Sequence, residues 1–243
     1  MKKVLVIIGL CLLAGYLIFA AFYFQNKPME GLCTKLEVVI DNKGKEQFIN
    51  PTDIEKYIND KGLNPYGKPL KEINTFDIEE AIADNPLIKK AEVFSTASGA
   101  IKVAITERKP VLRVMTNDGD SYYIDEEGKR MPLSKRYVAY LPIASGAIKE
   151  GFAREELHKF ALFLQNDIFW NAQIEQIVVA ANNDITLIPR VGNQQIIFGK
   201  VDNFEEKLNK LMKFYQEGQN EIGWNKYSVI NLKFDKQIVC TKR

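Results

Sequence analysis

Two groups of side chains in this sequence could take part in acid–base catalysis. His158 is the only histidine and could act as a general base, and the carboxylates of Asp125–Glu127 could act as a paired acid and base. His158 falls on a predicted amphipathic helix, however, where an exposed surface position is the simpler interpretation. The run Asp125–Gly128 is typical of a β-turn between two strands. No phosphate-binding loop, GxSxG or HExxH pattern occurs, so we predict no catalytic residue, no cofactor and no enzymatic activity.

The three cysteines do not follow a metal-binding or disulfide pattern. Cys11 falls in an apolar segment, Cys33 comes shortly after that segment, and Cys240 stands near the end of the sequence. The odd number argues against a disulfide framework, and no CxxC pair or Cys/His spacing of a zinc site occurs. We therefore predict no metal site.

An apolar run near the N-terminus predicts on which side of the membrane the rest of the chain lies. Val4–Phe24 contains 21 residues and no charge. As a helix this run would span about 31 Å, the thickness of the hydrocarbon core of a bilayer. Lys2 and Lys3 precede the run and favour a cytoplasmic N-terminus. A cleaved signal peptide is the alternative, but it fits poorly because the run is long and lacks suitably spaced small residues. We predict a cytoplasmic tail at 1–3, a transmembrane helix at 4–24 and export of the remainder.

The predicted exported part is close to electrical neutrality. Two of the 33 basic residues are Lys2 and Lys3, which leaves 31 basic residues to balance 31 acidic ones. A nucleic-acid-binding domain carries a basic patch or stripe, and this composition does not favour one. We therefore predict no nucleic-acid partner, and because the sequence lacks a catalytic set we also predict no small-molecule substrate. Roughly 210 residues follow the predicted linker at 25–33, a length that suits two small domains.

Residues 34–109 show the pattern of a small domain with two helices on one face of a sheet. The predicted elements are a strand at Leu36–Ile40, helices beginning near Pro51 and Thr75, and strands at Ala91–Phe94 and Ala100–Thr106. Asn50-Pro51 is a helix start, because asparagine caps and proline suits the first helical position. The resulting order is β-α-α-β-β, which can close a core of its own.

Residues 110–243 show a pattern in which strands dominate. The predicted strands are Val111–Met115, Tyr122–Asp125, Ile174–Val179, Ile185–Ile188 and Gln195–Phe198, with helices around Leu157–Leu164 and Phe204–Tyr215. Near the end, apolar residues alternate with polar ones from Ile230 to Phe234. A tight turn at Asp235-Lys236 would then return the chain as a last strand, Ile238–Thr241. The fold class is α+β, with a mostly antiparallel second domain and flanking helices.

Five stretches together carry a family pattern. They are Asn85–Val93, Ile101–Val111, Tyr123–Gly128, Leu141-Pro142 and Ile230–Phe234. In these stretches the chain resembles the FtsQ/DivIB family of bacterial cell-division proteins, whose members combine one membrane helix, a POTRA domain and a β domain. The resemblance implies a POTRA domain at 34–109 and a β domain at 110–243. Asn231, Lys233 and Phe234 depart from it, since Asp, Arg and Tyr are commoner there.

The resemblance implies a non-catalytic scaffold of the divisome. Such a protein is anchored in the cytoplasmic (inner) membrane by one helix, with its N-terminus in the cytoplasm and its domains periplasmic or extracellular. It is enriched at the division septum. It binds FtsB/FtsL-type membrane-anchored coiled-coil proteins and other divisome proteins, and so helps to control septal peptidoglycan synthesis.

The resemblance also implies a partner site along the last strand of the β domain. Family members receive the FtsB-type partner there by β-augmentation, which needs an unpaired strand edge. The candidate partner-binding residues are Phe234, Lys236, Ile238, Val239, Cys240 and Thr241. The residues alone are equally compatible with an interior strand, or with a passive edge guarded by Lys242-Arg243.

Two other functions stay open at the level of sequence. One is a POTRA-containing export or outer-membrane assembly factor, although such proteins typically carry several POTRA modules. The other is a membrane-tethered cell-wall hydrolase, although the catalytic set that it needs is missing from the sequence.

Overall fold

The computed structural model describes residues 11–20, 31–41, 47–219, 223 and 226–243. Residues 11–20 are helical. The rest of the predicted membrane span at 4–24 and the predicted tail at 1–3 lie outside the described residues. In the part of the chain that is described, no helix is both long enough and apolar enough to cross a bilayer.

The chain divides into two compact units. The smaller unit contains the described residues up to Val39 together with Pro51–Ile82 and Ala91–Ile105. The larger unit contains Ala83–Lys90, Thr106–Arg243 and the described residues between Ile40 and Asn50.

The smaller unit is built on a three-stranded sheet. Its strands are β1 (Lys35–Ile40), β2 (Ile88–Ser95) and β3 (Ala100–Glu107), and they lie in the order β1-β3-β2. Its helices are α1 (Pro51–Asp60) and α2 (Thr75–Ala83), with a short 3-10 turn at Leu70–Glu72 between them. The predicted β-α-α-β-β order is therefore confirmed.

The helices of the smaller unit bury one isoleucine stripe each. Pro51 stands at the first position of α1, where its missing N–H has no helical partner to lose. Ile54 and Ile58 follow at a spacing of four, and Ile78 and Ile82 repeat that spacing on α2; all four are at most 2% exposed. Burial of one isoleucine side chain contributes about 1.5–3 kcal/mol, so these two stripes stabilise the small core.

The larger unit contains one nine-stranded sheet. Its strands are β4 (Pro110–Thr116), β5 (Ser121–Asp125), β6 (Arg130–Met131), β7 (Ile143–Gly146), β8 (Ile174–Val179), β9 (Ile185–Pro189), β10 (Gln195–Gly199), β11 (Tyr227–Asn231) and β12 (Val239–Lys242). The order in the sheet is β12-β11-β10-β9-β8-β7-β4-β5-β6. Five of these eight neighbouring pairs are antiparallel, and β4–β7, β7–β8 and β10–β11 are parallel. The prediction of a mostly antiparallel sheet is confirmed.

Helices pack against one face of this sheet. They are α3 (His158–Asn166), which follows Glu150–Phe152 and a π-helical turn at Ala153–Leu157, then α4 (Ile168–Gln173) and α5 (Phe204–Phe214), which continues into a π-helical turn at Tyr215–Gln219. Phe160 and Leu208 from the helices join Phe198 and Ile230 from the strands in one fully buried apolar cluster. The predicted flanking helices are therefore present, and their Phe and Leu stripes are core.

Two elements of the larger unit were not predicted. Strand β7 has the sequence Ile-Ala-Ser-Gly, in which only the isoleucine favours a strand. Helix α4 begins after Asp167, whose carboxylate Oδ1 accepts hydrogen bonds from the N–H groups of Phe169 and Trp170 at 2.9 Å. Aspartate is one of the residues preferred at this position, and it is the local signal for α4 that the prediction did not use.

The end of β11 differs from its prediction. The strand ends at Asn231 and does not extend to Phe234. The Oδ1 of Asn231 accepts a hydrogen bond from the backbone N–H of Lys233 at 3.0 Å, and such a local bond turns the chain away from the ladder. The predicted turn at Asp235–Lys236 is present. It lies within a connection that runs from 232 to 238, so the flanking strands end farther from the turn than predicted.

Candidate functional site

Strand β12 lies at one border of the nine-stranded sheet. It pairs with β11 alone among the described strands, in an antiparallel register that places Val239 opposite Asn231, Cys240 opposite Ile230 and Thr241 opposite Val229. Its outer side therefore presents backbone N–H and C=O groups that no described strand pairs. We call this outer side, along Val239–Lys242, the β12 edge.

The side chains of β12 alternate between core and surface. Cys240 lies opposite the fully buried Ile230 and packs against the core cluster. Burial raises the pKa of the Cys240 thiol above its usual range. Val239 is 41% exposed and Thr241 is exposed, so these two side chains are available beside the edge. Ile238, just before the strand, is partly buried against the same cluster.

A lysine of helix α5 forms hydrogen bonds with the backbone of the connection that leads into β12. The Lys210 Nζ donates hydrogen bonds to the carbonyl oxygens of Phe234 at 2.5 Å, Asp235 at 3.4 Å and Leu232 at 3.5 Å. A lysine ammonium has three donors, so one side chain can satisfy three carbonyls of a turn. Phe234 itself is 47% exposed.

A second lysine fixes the start of the same connection. The Lys233 Nζ lies 2.9 Å from the carboxylate of Asp184, which also lies 3.2 Å from the Lys200 Nζ. The hydrogen bond from Lys233, with a smaller contribution from Lys200, lowers the pKa of Asp184. The backbone N–H of Lys233 is in turn bound by Asn231, so this residue is held at both ends.

A cavity of about 410 Å³ lies beside this connection. Its charged lining consists of Lys200, Lys207, Lys210, Lys233, Asp184, Asp202, Glu206 and Asp235. Lysines and carboxylates are equal in number, and Lys207 and Lys233 already pair with carboxylates. The cavity therefore offers little net field for an ionic ligand, and we interpret it as packing space around the anchor of the connection.

The structure separates the six predicted partner-binding residues into two groups. Val239, Cys240 and Thr241 lie on β12, with Ile238 directly before them. Phe234 and Lys236 lie in the connection, where both are exposed. Lys210 and Asp184, which hold that connection, were missed because only the folded chain brings them near it and no local signal in the sequence marks them.

Two of the other border strands, β2 and β6, are less open than β12. Strand β2 borders the three-stranded sheet, but the backbone N–H of Val93 donates to the carboxylate of Glu79 on α2 at 3.0 Å. A side chain of the same unit thus already occupies part of that edge. At the opposite border of the larger sheet, β6 contains only two residues. The β12 edge is therefore a better candidate for strand addition than β2 or β6.

The two candidate catalytic groups are engaged in contacts within the fold. The Nε2 of His158 lies 3.2 Å from the carbonyl oxygen of Glu126, and the residue is half-buried, so the prediction of an exposed histidine is wrong. Asp125 is 2% exposed, and its Oδ2 accepts a hydrogen bond from the Arg108 Nε at 2.7 Å. In the ranges that the structure describes, no group of three His, Cys, Asp or Glu side chains could hold a metal ion.

The predicted turn at Asp125–Gly128 is confirmed. The N–H of Gly128 donates to the carbonyl oxygen of Asp125 at 3.0 Å. Gly128 has φ of +75°, and a Cβ at this position would lie 2.9 Å from the carbonyl oxygen of Arg154. The turn therefore needs glycine both for its backbone conformation and for the close approach of the π-helical turn.

Comparisons with known proteins agree with this architecture. A family described as FtsQ/DivIB, C-terminal related, matches residues 109–241, and a POTRA-like domain matches residues 31–106. The cell division protein FtsQ of Rhodothermus marinus (strain ATCC 43812 / DSM 4252 / R-10) is 27% identical over 187 residues, which cover 71% of this chain and 67% of that protein. The family match alone spans more than half of the sequence. The chain therefore belongs to the FtsQ/DivIB family of cell-division proteins.

Proposed function

We propose that the chain is a non-catalytic scaffold of the divisome, held in the cytoplasmic membrane by the helix at 4–24 with its N-terminus in the cytoplasm. Its two exported domains, 34–109 and 110–243, act at the division septum. There the β12 edge receives an FtsB/FtsL-type partner by strand addition and helps to control septal peptidoglycan synthesis. Family membership supports the role in division. The border position of β12 is the observation that carries the docking proposal.

The non-catalytic role is supported by the state of the two candidate catalytic groups. A general base must have a lone pair within reach of a substrate proton, and a paired acid and base must share an open site. His158 instead contacts the backbone of Glu126, and Asp125 is buried in an ion pair with Arg108. Both side chains thus stabilise the turn that joins β5 and β6.

The docking proposal rests on backbone hydrogen bonds. A strand of four residues directs about half of its N–H and C=O groups outward, so an added strand forms about four bonds. Each bond contributes about 0.5–1.5 kcal/mol net, which gives about 2–6 kcal/mol for the edge as a whole. Val239 and Thr241 then contact the side chains of the added strand that lie on the same face.

Val239→Pro tests this edge, because proline has no N–H and cannot form a regular ladder. Neighbouring residues direct their N–H groups to opposite sides of a strand, so Cys240→Pro is the companion variant. One of the two substitutions removes an outward donor, and the other removes a bond to β11. Hydrogen exchange of the β11 amides identifies the variant that keeps β11–β12 pairing. That variant is expected to bind the FtsB/FtsL-type partner at least about tenfold more weakly, which corresponds to about 1.4 kcal/mol.

Val138→Pro is the matched control, since Val138 is also an exposed valine, at 63%, and lies outside the sheet. It is expected to leave partner binding unchanged. Docking at this edge would be refuted if a variant that keeps β11–β12 pairing but lacks an outward backbone N–H bound the FtsB/FtsL-type partner with wild-type affinity. Fluorescent fusions of the same variants report whether loss of binding also removes the protein from midcell.

The proposed anchoring has its own test. Carbonate extraction of membranes should leave the full-length chain in the pellet, and protease added to spheroplasts should digest residues beyond 33 while a cytoplasmic marker survives. Recovery of the chain in the carbonate supernatant would refute the transmembrane helix at 4–24. This outcome would leave the docking proposal to be judged by the variants of β12.

A further inference from the structure

The last 18 residues of the chain are strongly basic. Residues 226–243 contain five basic side chains and one acidic one, whereas the remaining residues contain 28 basic and 30 acidic side chains. The net charge of this segment is therefore +4, in a chain whose other residues sum to −2. The segment consists of β11, β12 and their connection, so the positive charge is concentrated at the border of the sheet.

The cations stand at both ends of β12. Lys236 lies in the connection just before the strand, while Lys242 and Arg243 lie at its end. All three are exposed, and none forms an ion pair with another described residue. Lys233 differs from them because Asp184 already neutralises it. The three cations thus remain available to a ligand.

The spacing of these cations matches a strand that pairs with β12. The four residues of β12 span about 13 Å at the usual rise of a strand. A strand added along this length passes Lys236 near one end and Lys242 and Arg243 near the other. Between the ends it meets only uncharged side chains, of which Gln237, Val239 and Thr241 are exposed.

We infer that the β12 edge selects an extended partner segment with β-branched residues at its centre and a carboxylate near each end. The inference rests on the proposed function and names the chemistry of its partner. Opposite charges beside paired strands are favourable and like charges are unfavourable. The same three cations therefore oppose pairing of β12 with a second copy of itself, which would bring Lys236, Lys242 and Arg243 against identical charges. One set of residues both rejects self-association and selects the acidic segment.

Three synthetic peptides test the inference on the full-length chain in detergent micelles. They share the centre Thr-Val-Thr-Val and carry two Glu, two Gln or two Lys residues at their ends, and binding is titrated to millimolar peptide by fluorescence anisotropy. The Glu peptide is expected to bind about tenfold more tightly than the Gln peptide, and the Lys peptide more weakly than both. The preference should shrink as salt is raised from about 0.05 to 0.3 M, because these charges are exposed.

A matched pair of triple variants locates the effect. Lys236→Gln, Lys242→Gln and Arg243→Gln together are expected to abolish the preference for Glu over Gln ends. Lys149→Gln, Lys159→Gln and Lys213→Gln remove the same number of exposed charges from within or directly before helices of the same unit and are expected to preserve it. Each triple variant must first show the unfolding midpoint of the wild type.

The outcomes separate this inference from the proposed function. Equal binding of the Glu and Gln peptides, both lost on disruption of the edge by proline, would overturn the charge selection and leave strand addition standing. Failure of all three peptides to bind, together with wild-type affinity of the proline variants of β12 for the FtsB/FtsL-type partner, would overturn strand addition itself. Binding of anionic vesicles that depends on the three cations, without preference for the Glu peptide, would show that the basic segment serves the membrane surface and would also overturn the inference.

Discussion

The buried ion pair between Arg108 and Asp125 yields a sharp prediction about stability. The Arg108 Nε donates to the Asp125 Oδ2 at 2.7 Å, and the two side chains are 11% and 2% exposed. The Oδ1 of Asp125 accepts from the N–H groups of Glu127 at 3.0 Å and Lys129 at 2.7 Å. Asp125→Asn can keep those two bonds, but it turns an amide donor toward the guanidinium. The substitution therefore removes the counter-charge and its hydrogen bond to Arg108, while the two bonds to the turn remain.

The expected cost is large because the arginine would stay buried without compensation. The Arg108 Nη1 donates to the carbonyl oxygens of Pro86 at 2.8 Å and Arg130 at 3.2 Å, while its Nη2 is buried and has no hydrogen-bond partner among the described atoms. Removal of one partner from a buried pair costs about 3–5 kcal/mol. At about 2–4 °C per kcal/mol for a chain of this size, the unfolding midpoint of the larger unit should fall by about 6–20 °C.

Thermal unfolding of the full-length chain, followed by near-UV circular dichroism, measures this change. Asp118→Asn is the matched control, since Asp118 is an exposed carboxylate in the neighbouring β4–β5 turn that accepts a hydrogen bond from Thr116. It should leave the midpoint unchanged. The double variant Arg108→Met, Asp125→Asn should recover part of the loss, because it leaves no charge to compensate while the asparagine keeps the two bonds to the turn. Equal midpoints for Asp125→Asn and Asp118→Asn would show that the ion pair does not hold this turn.

Two further predictions concern the surroundings of the β12 edge. Burial raises the pKa of the Cys240 thiol, so iodoacetamide should alkylate Cys240 at pH 8 more slowly than it alkylates glutathione, and the rate should rise at higher pH. Equal alkylation rates for Cys240 and glutathione, measured by mass spectrometry, would contradict this. The pKa of Asp184 is lowered by Lys233, so its stabilising contribution is present above the unfolded pKa of about 3.9 and is lost as the pH falls through the lower folded value. The difference in unfolding midpoint between the wild type and Asp184→Asn should therefore be largest near neutral pH and vanish in acid, and a difference that grows in acid would contradict the assignment.

The sequence predicts most elements because their signals are local. The isoleucine stripes of α1 and α2 follow helical spacing, and the start of α1 is marked by Asn50-Pro51. Strand β7 could not be predicted, because Ala-Ser-Gly carries no strand signal and the strand exists only through parallel partners on both sides. Those partners come from distant parts of the chain, so their pairing is a property of the whole sheet.

The candidate site shows the same division between local and distant information. The β-prone residues of β12 predict a strand, but its place at the border depends on the order of all nine strands. The connection at Phe234 is likewise held by Lys210, which lies 24 positions earlier in the sequence and reaches the connection from α5. A sequence pattern can therefore predict the strand, while only the folded sheet shows that the backbone groups on one side of it are unpaired by any described strand.

On the proposed function, the shortness of β12 determines how the partner must be presented. About four backbone hydrogen bonds supply about 2–6 kcal/mol, which by itself corresponds to a Kd of about 40 µM or weaker. A partner anchored in the same membrane meets the edge at an effective concentration that reaches the millimolar range for a short linker, and such a concentration suffices to occupy a weak site. The partner segment should thus bind weakly as a soluble peptide and tightly when it is anchored beside this chain in one bilayer. Nanomolar binding of the soluble segment would mean that contacts beyond the β12 edge carry most of the affinity.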